Sequence, residues 1–592
     1  MQKLNKINIT ASKLWLAAIL MLAFLVFTPA LKGAFLEWDD TVQVPNNPDI
    51  QNLSPDGLRQ IFSSYYAQMY QPLASLSFAL EYRAVGLQTW LYHLDNIFLH
   101  CLNILLVFWL TKKLFRRQLP ALWAAALFAV WPTQVEAVAW ISARSTLIAS
   151  GFLLACLLSY IYYLDRKAVR FYFLALLFFV LALLSKSVAA IIPLLLWLLD
   201  YWKGRKFSWR MIAEKIPYLA LAIVFGLVAI AARKSIGTLT FSVYNWTDRI
   251  VLILYAASVQ AYKALLPFGL HTYYQHPADN HDHLYWWVYL AALLPLLGGW
   301  LVYLNRQRRW LVFGAIWFAL NIILSIQLAP YITIAGADRY NYLALLAIVW
   351  LIAFFAGCKH WSYQAVLATC LMGLALASWN LSYVWQSEID LWQNVINNDP
   401  LAGTAYMSRG SAKNALGDPL GGIDDLDIAI VLSPNLVEAY NIKGVIEMQA
   451  LHRYDWAARD FNQAVRLRPD SPVYFYNRGL AMTYLNSLKQ AIADYSQAVR
   501  LESSGKNNPS FLASANYSLA VALKITKNNK DAEDKAMIAT TLDPLRADAW
   551  YLLGALKNIK VKASGCPEII KAASLNFEPA RAEALACAHH EK

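Results

Sequence analysis

The chain has 592 residues, of which 58% are hydrophobic and 15% charged, with a formal net charge of +13. A soluble domain is nearer one quarter charged, so this composition excludes a wholly water-soluble protein. The positive balance does not point to nucleic acid, because many basic residues sit in short clusters between apolar runs, where they encode membrane topology.

The apolar runs lie between residues 14 and 380, and residues 386–592 have the composition of a soluble domain. This predicts a membrane domain over 1–384 and a soluble domain over 385–592. A membrane-crossing helix needs about 20 apolar residues. Eleven segments qualify: 14–31, 91–111, 119–138, 145–164, 171–185, 187–202, 215–232, 284–304, 310–328, 341–357 and 361–380. The first follows Lys3, Lys6 and Lys13 and reads as a retained anchor rather than a cleaved signal. The basic clusters are Lys112/Lys113/Arg116/Arg117, Arg166/Lys167/Arg170, Lys203/Arg205/Lys206/Arg210, Arg306/Arg308/Arg309 and Lys359. Placing them all in the cytoplasm gives one consistent path. Residues 249–267 are nearly apolar enough to cross, but carry Gln260 and Lys263 and precede Pro267, and read as an interfacial or re-entrant helix.

On that path the outward segments are 32–90, 133–144, the tip Ser185–Ser187, 233–283, 329–340 and the soluble domain. The first loop is too long for a simple connector. It opens on Glu37-Trp38-Asp39-Asp40 and holds two helical stretches, Ser54–Tyr66 and Leu73–Arg83. The adjacent acids suit a general base, a cation ligand or a solvated turn. On the same face lie Glu136, Arg144, Lys186, Arg233, Lys234 and the run Asp338-Arg339-Tyr340. Ionisable groups at membrane depth are costly and mark function; snorkelling or interhelical pairing is the competing reading. Cations at this boundary suit an anionic lipid phosphate, and an acid beside them suits deprotonation of an acceptor.

The soluble part is repetitive. Gly410, Gly444 and Gly479 recur at 34 and 35 residues, with Tyr406, Tyr440 and Phe475 four residues earlier. Ala457-x3-Phe461 and Ala491-x3-Tyr495 match in the second helices, and Pro434, Pro469 and Pro544 close the units. That period is the tetratricopeptide-repeat (TPR) signature. An insertion at Ser503–Pro509 displaces a fourth unit, and a fifth opens with Trp550 and Gly554. Such stacks present concave surfaces to extended partners; a structural cap is the alternative. Of the six cysteines, Cys101, Cys156 and Cys370 fall in apolar runs and Cys358 beside a basic loop. Cys566 and Cys587 suit a disulfide if their segment faces an oxidising compartment. No cysteine spacing suits a metal site.

Several stretches together carry a resemblance. They are FLEWDDTVQVPNNPDI (35–50), YQPLASLSFALEYRAVG (70–86), YHLDNIFLH (92–100), WPTQVEAVAWISARSTLI (131–148), LLSKSVAAIIPLLLWLLDYW (183–202), LLPFGLHTYYQHP (265–277), ADRYNYLALL (337–346) and WQSEIDLWQNVINNDP (385–400). In order and spacing the chain resembles the transmembrane-and-TPR O-mannosyltransferase family and its bacterial relatives, within the GT-C superfamily, over about residues 30–550. Two positions depart from the family: Trp131 stands where it has His before Pro, and Gln71 where it has Arg before Pro. Both bear on which sugar and acceptor are used.

The resemblance implies an all-α fold, a GT-C-type membrane bundle of about eleven spans followed by a TPR α-solenoid. It implies a polyprenyl-phosphate sugar donor, mannose first among them, and Ser or Thr hydroxyls of proteins as acceptors, bound through the TPR groove. It makes Asp39, with its neighbour Asp40, the catalytic acid pair acting as general base with inversion. Lys186, Arg339 and Arg144 would bind the lipid phosphate. Glu136 would orient donor or loop, and His93, His271, Tyr274, Asp338 and Tyr340 would line the site. The scheme requires no metal, although an acidic pair could hold a divalent cation. The competing functions are a non-catalytic envelope scaffold, a transporter, and a GT-C enzyme acting on a glycolipid or polymer. A bacterial inner membrane with the TPR domain in the periplasm is expected, with an endoplasmic-reticulum membrane and lumenal TPR domain as the alternative. The sequons at Asn245 and Asn516 fit either.

Overall fold

The computed structural model describes residues 9–66, 69–234, 245–275, 277, 283–326, 334–356, 361–505 and 508–590. The expectations placed on the side chains of Arg233 and Lys234, and on Cys358 and Lys359, fall outside the described residues. The chain forms two compact units, Met1–Pro400 and Leu401–Lys592. The boundary lies at 400 rather than 384 because helix Glu388–Asn398 is tied into the first unit. Ala34 N–H donates to the Gln386 carbonyl at 3.0 Å and Asn394 Nδ2 to the Leu270 carbonyl at 2.9 Å.

The first unit is nearly all helix; its strands among the described residues are Tyr274–Gln275 and Ile334–Gly336, paired antiparallel. Among the described residues six helices are long and apolar enough to cross a membrane: Ser12–Lys32, Thr89–Phe115, Ile141–Arg166, Trp209–Ala232, Trp286–Leu304 and Ser362–Tyr383. Two bent helix pairs pass the same test together, Gln118–Val130 with Pro132–Ala139 at 57° and Asp338–Ala344 with Leu346–Ala356 at 47°, each with the form of a broken span or a re-entrant loop. Pro132 accounts for the first bend, since it has no N–H to give and forces Trp131 before it into extended backbone, ψ 130°. Three apolar helices are shorter: Val169–Ser185, Ser187–Trp202 and Arg309–Ile323. Each of the expected apolar segments is therefore helical over most of its described residues, and the chain is a multi-pass membrane protein. Of the segment 249–267, residues up to Leu265 fall in one unbroken helix, Trp246–Leu265, with Asp248, Arg249 and Lys263 along it.

A common core of aliphatic and aromatic side chains joins these helices. Lipid offers no hydrophobic drive between helices, so polar contacts help to fix their register. His100 Nδ1 lies 2.8 Å from the Tyr342 hydroxyl, Asn103 Nδ2 donates to the same hydroxyl at 3.0 Å, and Ser378 Oγ donates to the Val130 carbonyl at 2.8 Å. A charged network ties helix ends near the basic loop 203–210. Lys215 is fully buried and pairs with Asp200 and the Tyr160 hydroxyl. Arg205 reaches Asp200 at 2.9 Å and Glu214 at 2.8 Å.

A second buried pair fastens the first long loop. Arg144 is 1% exposed. It pairs with Glu81 at 2.7 Å, donates to the Tyr92 carbonyl at 2.6 Å and to Asn96 Oδ1 at 2.5 Å, and lies over the Phe78 ring. This corrects the expectation that Arg144 binds a phosphate: its donors are spent joining helix Pro72–Val85 to Thr89–Phe115. His93 is corrected likewise. It is 1% exposed and packs beneath Gly33, where an added Cβ would come within 2.8 Å of the ring, so it belongs to the core and does not line a site.

The second unit contains five helix pairs and a closing helix. The pairs are Gly403–Ala415 with Pro419–Leu432, Val437–Gln449 with Tyr454–Leu467, Pro472–Tyr484 with Leu488–Ser504, Pro509–Ile525 with Asn529–Leu542, and Ala547–Lys560 with Cys566–Ser574; Glu578–His590 follows. A side chain at Gly444 would collide with the Phe461 ring and one at Gly479 with the Tyr495 ring, which is why small residues recur where the paired helices cross. Ion pairs repeat in step: Arg409 with Asp425 at 2.6 Å, Lys443 with Asp460 at 3.6 Å and Arg478 with Asp494 at 2.6 Å. The Cys566–Cys587 disulfide pins the closing helix. Asn516 is 2% exposed and donates to the Leu512 carbonyl, so its sequon is inaccessible in the fold, whereas Asn245 is exposed and caps its helix.

Arg144→Met leaves Glu81 buried without its cation and costs about 3–5 kcal/mol, while adding Glu81→Gln recovers part of that loss; thermal unfolding of the purified chain in detergent reads both. The turns inside the repeats hold His452 and Ala563 at φ 54° and 69°, a left-handed backbone that costs a side chain about 1–2 kcal/mol. His452→Gly and Ala563→Gly are therefore each expected to stabilise the repeat unit by about 0.5–1 kcal/mol, seen as later urea midpoints in pulse proteolysis.

Candidate functional site

The outward face of the first unit is assembled from chain reversals rather than long helices. They are the start of the first loop at 36–43, the short helices Pro132–Gln134, Val135–Ala139 and Ile141–Ala143, the turn at Lys186, the strand pair at 274 and 336, and the turn Asp338–Tyr340. Tryptophans clamp these pieces. Trp38 stacks on Trp392 at 5.4 Å and lies 5.8 Å from Trp140, which stacks on Trp385 at 5.8 Å. The Glu37 N–H donates to Glu388, whose other oxygen accepts from the Trp392 indole at 2.8 Å.

The adjacent acids have different environments. Asp40 is 1% exposed. One of its oxygens accepts from the Leu36 N–H at 3.0 Å, and the other from the Ser142 N–H at 2.9 Å and from the Ser142 hydroxyl. Burial pushes its pKa up to about 7, against the lowering effect of those donors, and the charge of Asp39 adds to the rise. Both oxygens are occupied, which corrects the reading of Asp40 as a reacting acid: it anchors the loop. The same geometry prevents the two acids from chelating a cation together. Among the described residues no three His, Cys, Asp or Glu side chains gather into a metal-holding group.

Asp39 is half-buried, and its carboxylate has no hydrogen-bond partner among the described residues. Burial raises its pKa above the usual carboxylate range; the charges of Arg339 and Lys186 oppose that rise. Lys186 donates to Thr146 Oγ1 at 2.7 Å. Arg339 lies over Trp140 at 5.0 Å and Tyr340 at 5.2 Å. Its Nη1 pairs with Glu136, whose second oxygen accepts from the Arg339 N–H at 2.7 Å. Glu136 thus orients Arg339, and Nε and Nη2 of Arg339 are left for a further acceptor.

The remaining expected residues form an adjoining group. The Tyr274 hydroxyl donates to Asp338 at 2.6 Å, and His271 packs on the Tyr274 ring at 4.1 Å. A cavity of about 10 Å³ lies among Glu136, His271, Thr272, Asp338, Trp385 and Asn394. It has room for about one water and none for a sugar ring. The structure thus brings Asp39, Lys186, Arg339, Glu136 and Tyr340 together, with Asp338, Tyr274 and His271 beside them.

Three contributors escaped the sequence reading. Ser142 and Thr146 lie inside a quoted motif but carry no charge to draw attention. Lys263, which donates to the Gly269 carbonyl at 2.6 Å and lies over the Tyr274 ring, entered the sequence reading only as a mark of an interfacial or re-entrant helix. The departures from the family are also placed. Gln71 is 2% exposed and donates to Gln43 at 3.0 Å, and Trp131 is 5% exposed in the core.

No family model matches the chain. Among curated proteins it is 33% identical over 215 residues to protein O-mannosyl-transferase Tmtc1 of Drosophila melanogaster, covering 35% of this chain and 25% of that protein. It is 32% identical over 155 residues to TMTC1 of Homo sapiens, covering 24% and 18%, and 40% identical over 92 residues to TMTC2 of Mus musculus, covering 16% and 11%. The matches thus span a quarter or less of these relatives' own lengths. Among solved structures it is similar to YrrB, described as a TPR protein with an unusual peptide-binding site, at 19% identity and a TM-score of 0.29, covering 34% of this chain and 99% of that one. It is also similar to MamA at 20% identity and a TM-score of 0.27, covering 31% and 96%. The chain is a relative of the transmembrane-and-TPR protein O-mannosyl-transferases.

Proposed function

We propose that the chain is a membrane glycosyltransferase that moves a sugar, mannose first among the candidates, from a polyprenyl-phosphate carrier to Ser or Thr hydroxyls of proteins. The observation that carries this reading is the environment of Asp39: a half-buried carboxylate without hydrogen-bond partners among the described residues, set against Lys186 and Arg339 by a loop that Asp40 anchors. Similarity to proteins named O-mannosyl-transferases supports the reaction class.

In this reading the acceptor hydroxyl gives its proton to Asp39 as its oxygen attacks the anomeric carbon. The bond from that carbon to the phosphate oxygen breaks with inversion. Lys186 and the free N–H groups of Arg339 take up the charge that develops on the departing lipid phosphate. Glu136, and Trp140 beneath the guanidinium, hold Arg339 in place. Burial raises the pKa of Asp39, which makes it a stronger base than an exposed carboxylate. The TPR unit presents the protein acceptor and faces an oxidising compartment, as the Cys566–Cys587 disulfide supports.

The test uses purified chain, radiolabelled polyprenyl-phosphate mannose and a protein extract from the outward compartment. Asp39→Asn is expected to lose about 10²–10⁴-fold in transfer rate, with donor binding retained. Label entering protein equally well with Asp39→Asn would remove this assignment; transfer only from another lipid-linked sugar would keep the mechanism and change the donor.

The pH profile supplies a second test. Asp39 must be ionised to accept a proton, so transfer falls as pH drops through its pKa. Lys186 holds that pKa down. Lys186→Met is therefore expected to move the acidic limb of kcat/KM to higher pH as well as to weaken donor binding. An unmoved limb would separate Lys186 from the base.

A further inference from the structure

The turns within the repeats fall on one edge of the solenoid, and the turns between repeats fall on the other. In or beside each turn within a repeat a large apolar side chain is exposed. In order these are Leu416 at 73% exposed, Trp456 at 52%, Tyr484 at 62%, Ile525 at 53% and Val561 at 64%. The cores of the repeats are built from other residues, such as Leu426, Phe461, Tyr495 and Leu519; of the five, Tyr484 also stacks on Tyr454 at 4.6 Å.

The same edge is basic. Arg453 precedes Trp456, and the Arg459 guanidinium lies 5.5 Å from the Trp456 ring. Lys489 follows Tyr484. Lys527 and Lys530 flank the fourth turn and Lys562 the fifth, all three exposed. The last two turns are neighbours, because Lys560 of the fifth pair reaches Glu533 of the fourth at 2.5 Å. Of the acids here, Asp418 caps Gly421, Asp531 accepts from Asn528, Glu533 holds Lys560 and Glu568 holds Lys557, while Asp455 is exposed beside Arg453. The opposite edge also exposes apolar side chains, Leu401, Val431, Val473 and Leu545, but no large aromatic one among the described residues, and its Arg468 and Arg546 are tied to Glu438 and Asp548. What separates the two edges is the pair of rings, Trp456 and Tyr484, and the lysines.

We propose that this edge of the TPR solenoid is a membrane-docking surface that seats on a bilayer containing anionic phospholipid. Amphipathic Trp and Tyr rings collect at the lipid–water boundary, and peripheral binding needs apolar insertion together with basic charge. Both are present in register along one edge. The solenoid starts at Gly403, and the last apolar helix before it ends at Tyr383. Leu416 at the start of the edge and Val561 at its end give it the length of the whole solenoid, more than one recognition peptide would need. Seating this edge leaves the concave surface open to an acceptor.

The experiment is hydrogen–deuterium exchange on the full chain in nanodiscs of phosphatidylcholine alone or with phosphatidylglycerol. Peptides covering the turns near 453, 486, 527 and 562 are expected to exchange more slowly in the anionic discs, with protection lost at high salt. A membrane-seated lysine is worth about fivefold in occupancy. The combined Lys527→Glu, Lys530→Glu and Lys562→Glu variant is therefore expected to lose the protection, while the helix cores exchange as in the parent. Trp456→Ser with Tyr484→Ser keeps the charge and is expected to weaken protection in both lipids. Equal exchange in both kinds of disc at low salt, or protection that appears only when an acidic protein is added, overturns the proposal.

Discussion

The anchoring of Asp40 is the constraint on which the outward face depends. One buried carboxylate takes donors from Leu36 on its own loop and from Ser142 across the molecule. Without it the first loop would be held at this point chiefly by tryptophan contacts. With it, residue 39 has little freedom, and its carboxylate is left against two cations. The chain thus uses two identical side chains in succession for opposite purposes, one saturated with hydrogen bonds and one deprived of them.

The charges on this face form a hierarchy. Glu136 takes both of its hydrogen bonds from Arg339, and Asp338 accepts from Tyr274. Among the described residues Lys186 has only a hydroxyl, and Asp39 has no hydrogen-bond partner. An unsatisfied acid and an under-satisfied base in a partly dry setting cost folding energy, and such costs are retained where chemistry needs them. The rigid shell of Trp38, Trp140, Trp385 and Trp392 makes the arrangement tolerable, because it holds the pieces in place without neutralising the charges.

Much of this was legible in the sequence. The apolar runs revealed the spans because lipid demands length and composition together. Recurrent glycines revealed the repeats because they mark helix crossings that admit no side chain. That Asp39, Lys186 and Arg339 lie on one face could be read from motif and depth. Their partners could not. Arg144 and His93 looked like site residues because ionisable groups in apolar sequence attract attention, and nothing local revealed that Glu81 and Gly33 would absorb them. Asp40 was indistinguishable from Asp39 until Ser142, about a hundred residues later, came into contact. The domain boundary was misplaced for the same reason: helix Glu388–Asn398 looks soluble, and only its contacts with Leu270 and the first loop bind it to the membrane unit.

The brevity of the two helices flanking Lys186 has a mechanical consequence. Val169–Ser185 has 17 residues, about 25 Å at 1.5 Å per residue, against a hydrocarbon thickness of about 30 Å. A hairpin with arms this short is met by bilayer deformation, at a modest cost for each ångström of mismatch. Such a tip would draw the leaflet inward and bring headgroups and water toward the lysine. On the proposed reaction the carrier phosphate would meet Lys186 at that depth, and a thicker membrane would hold the two farther apart.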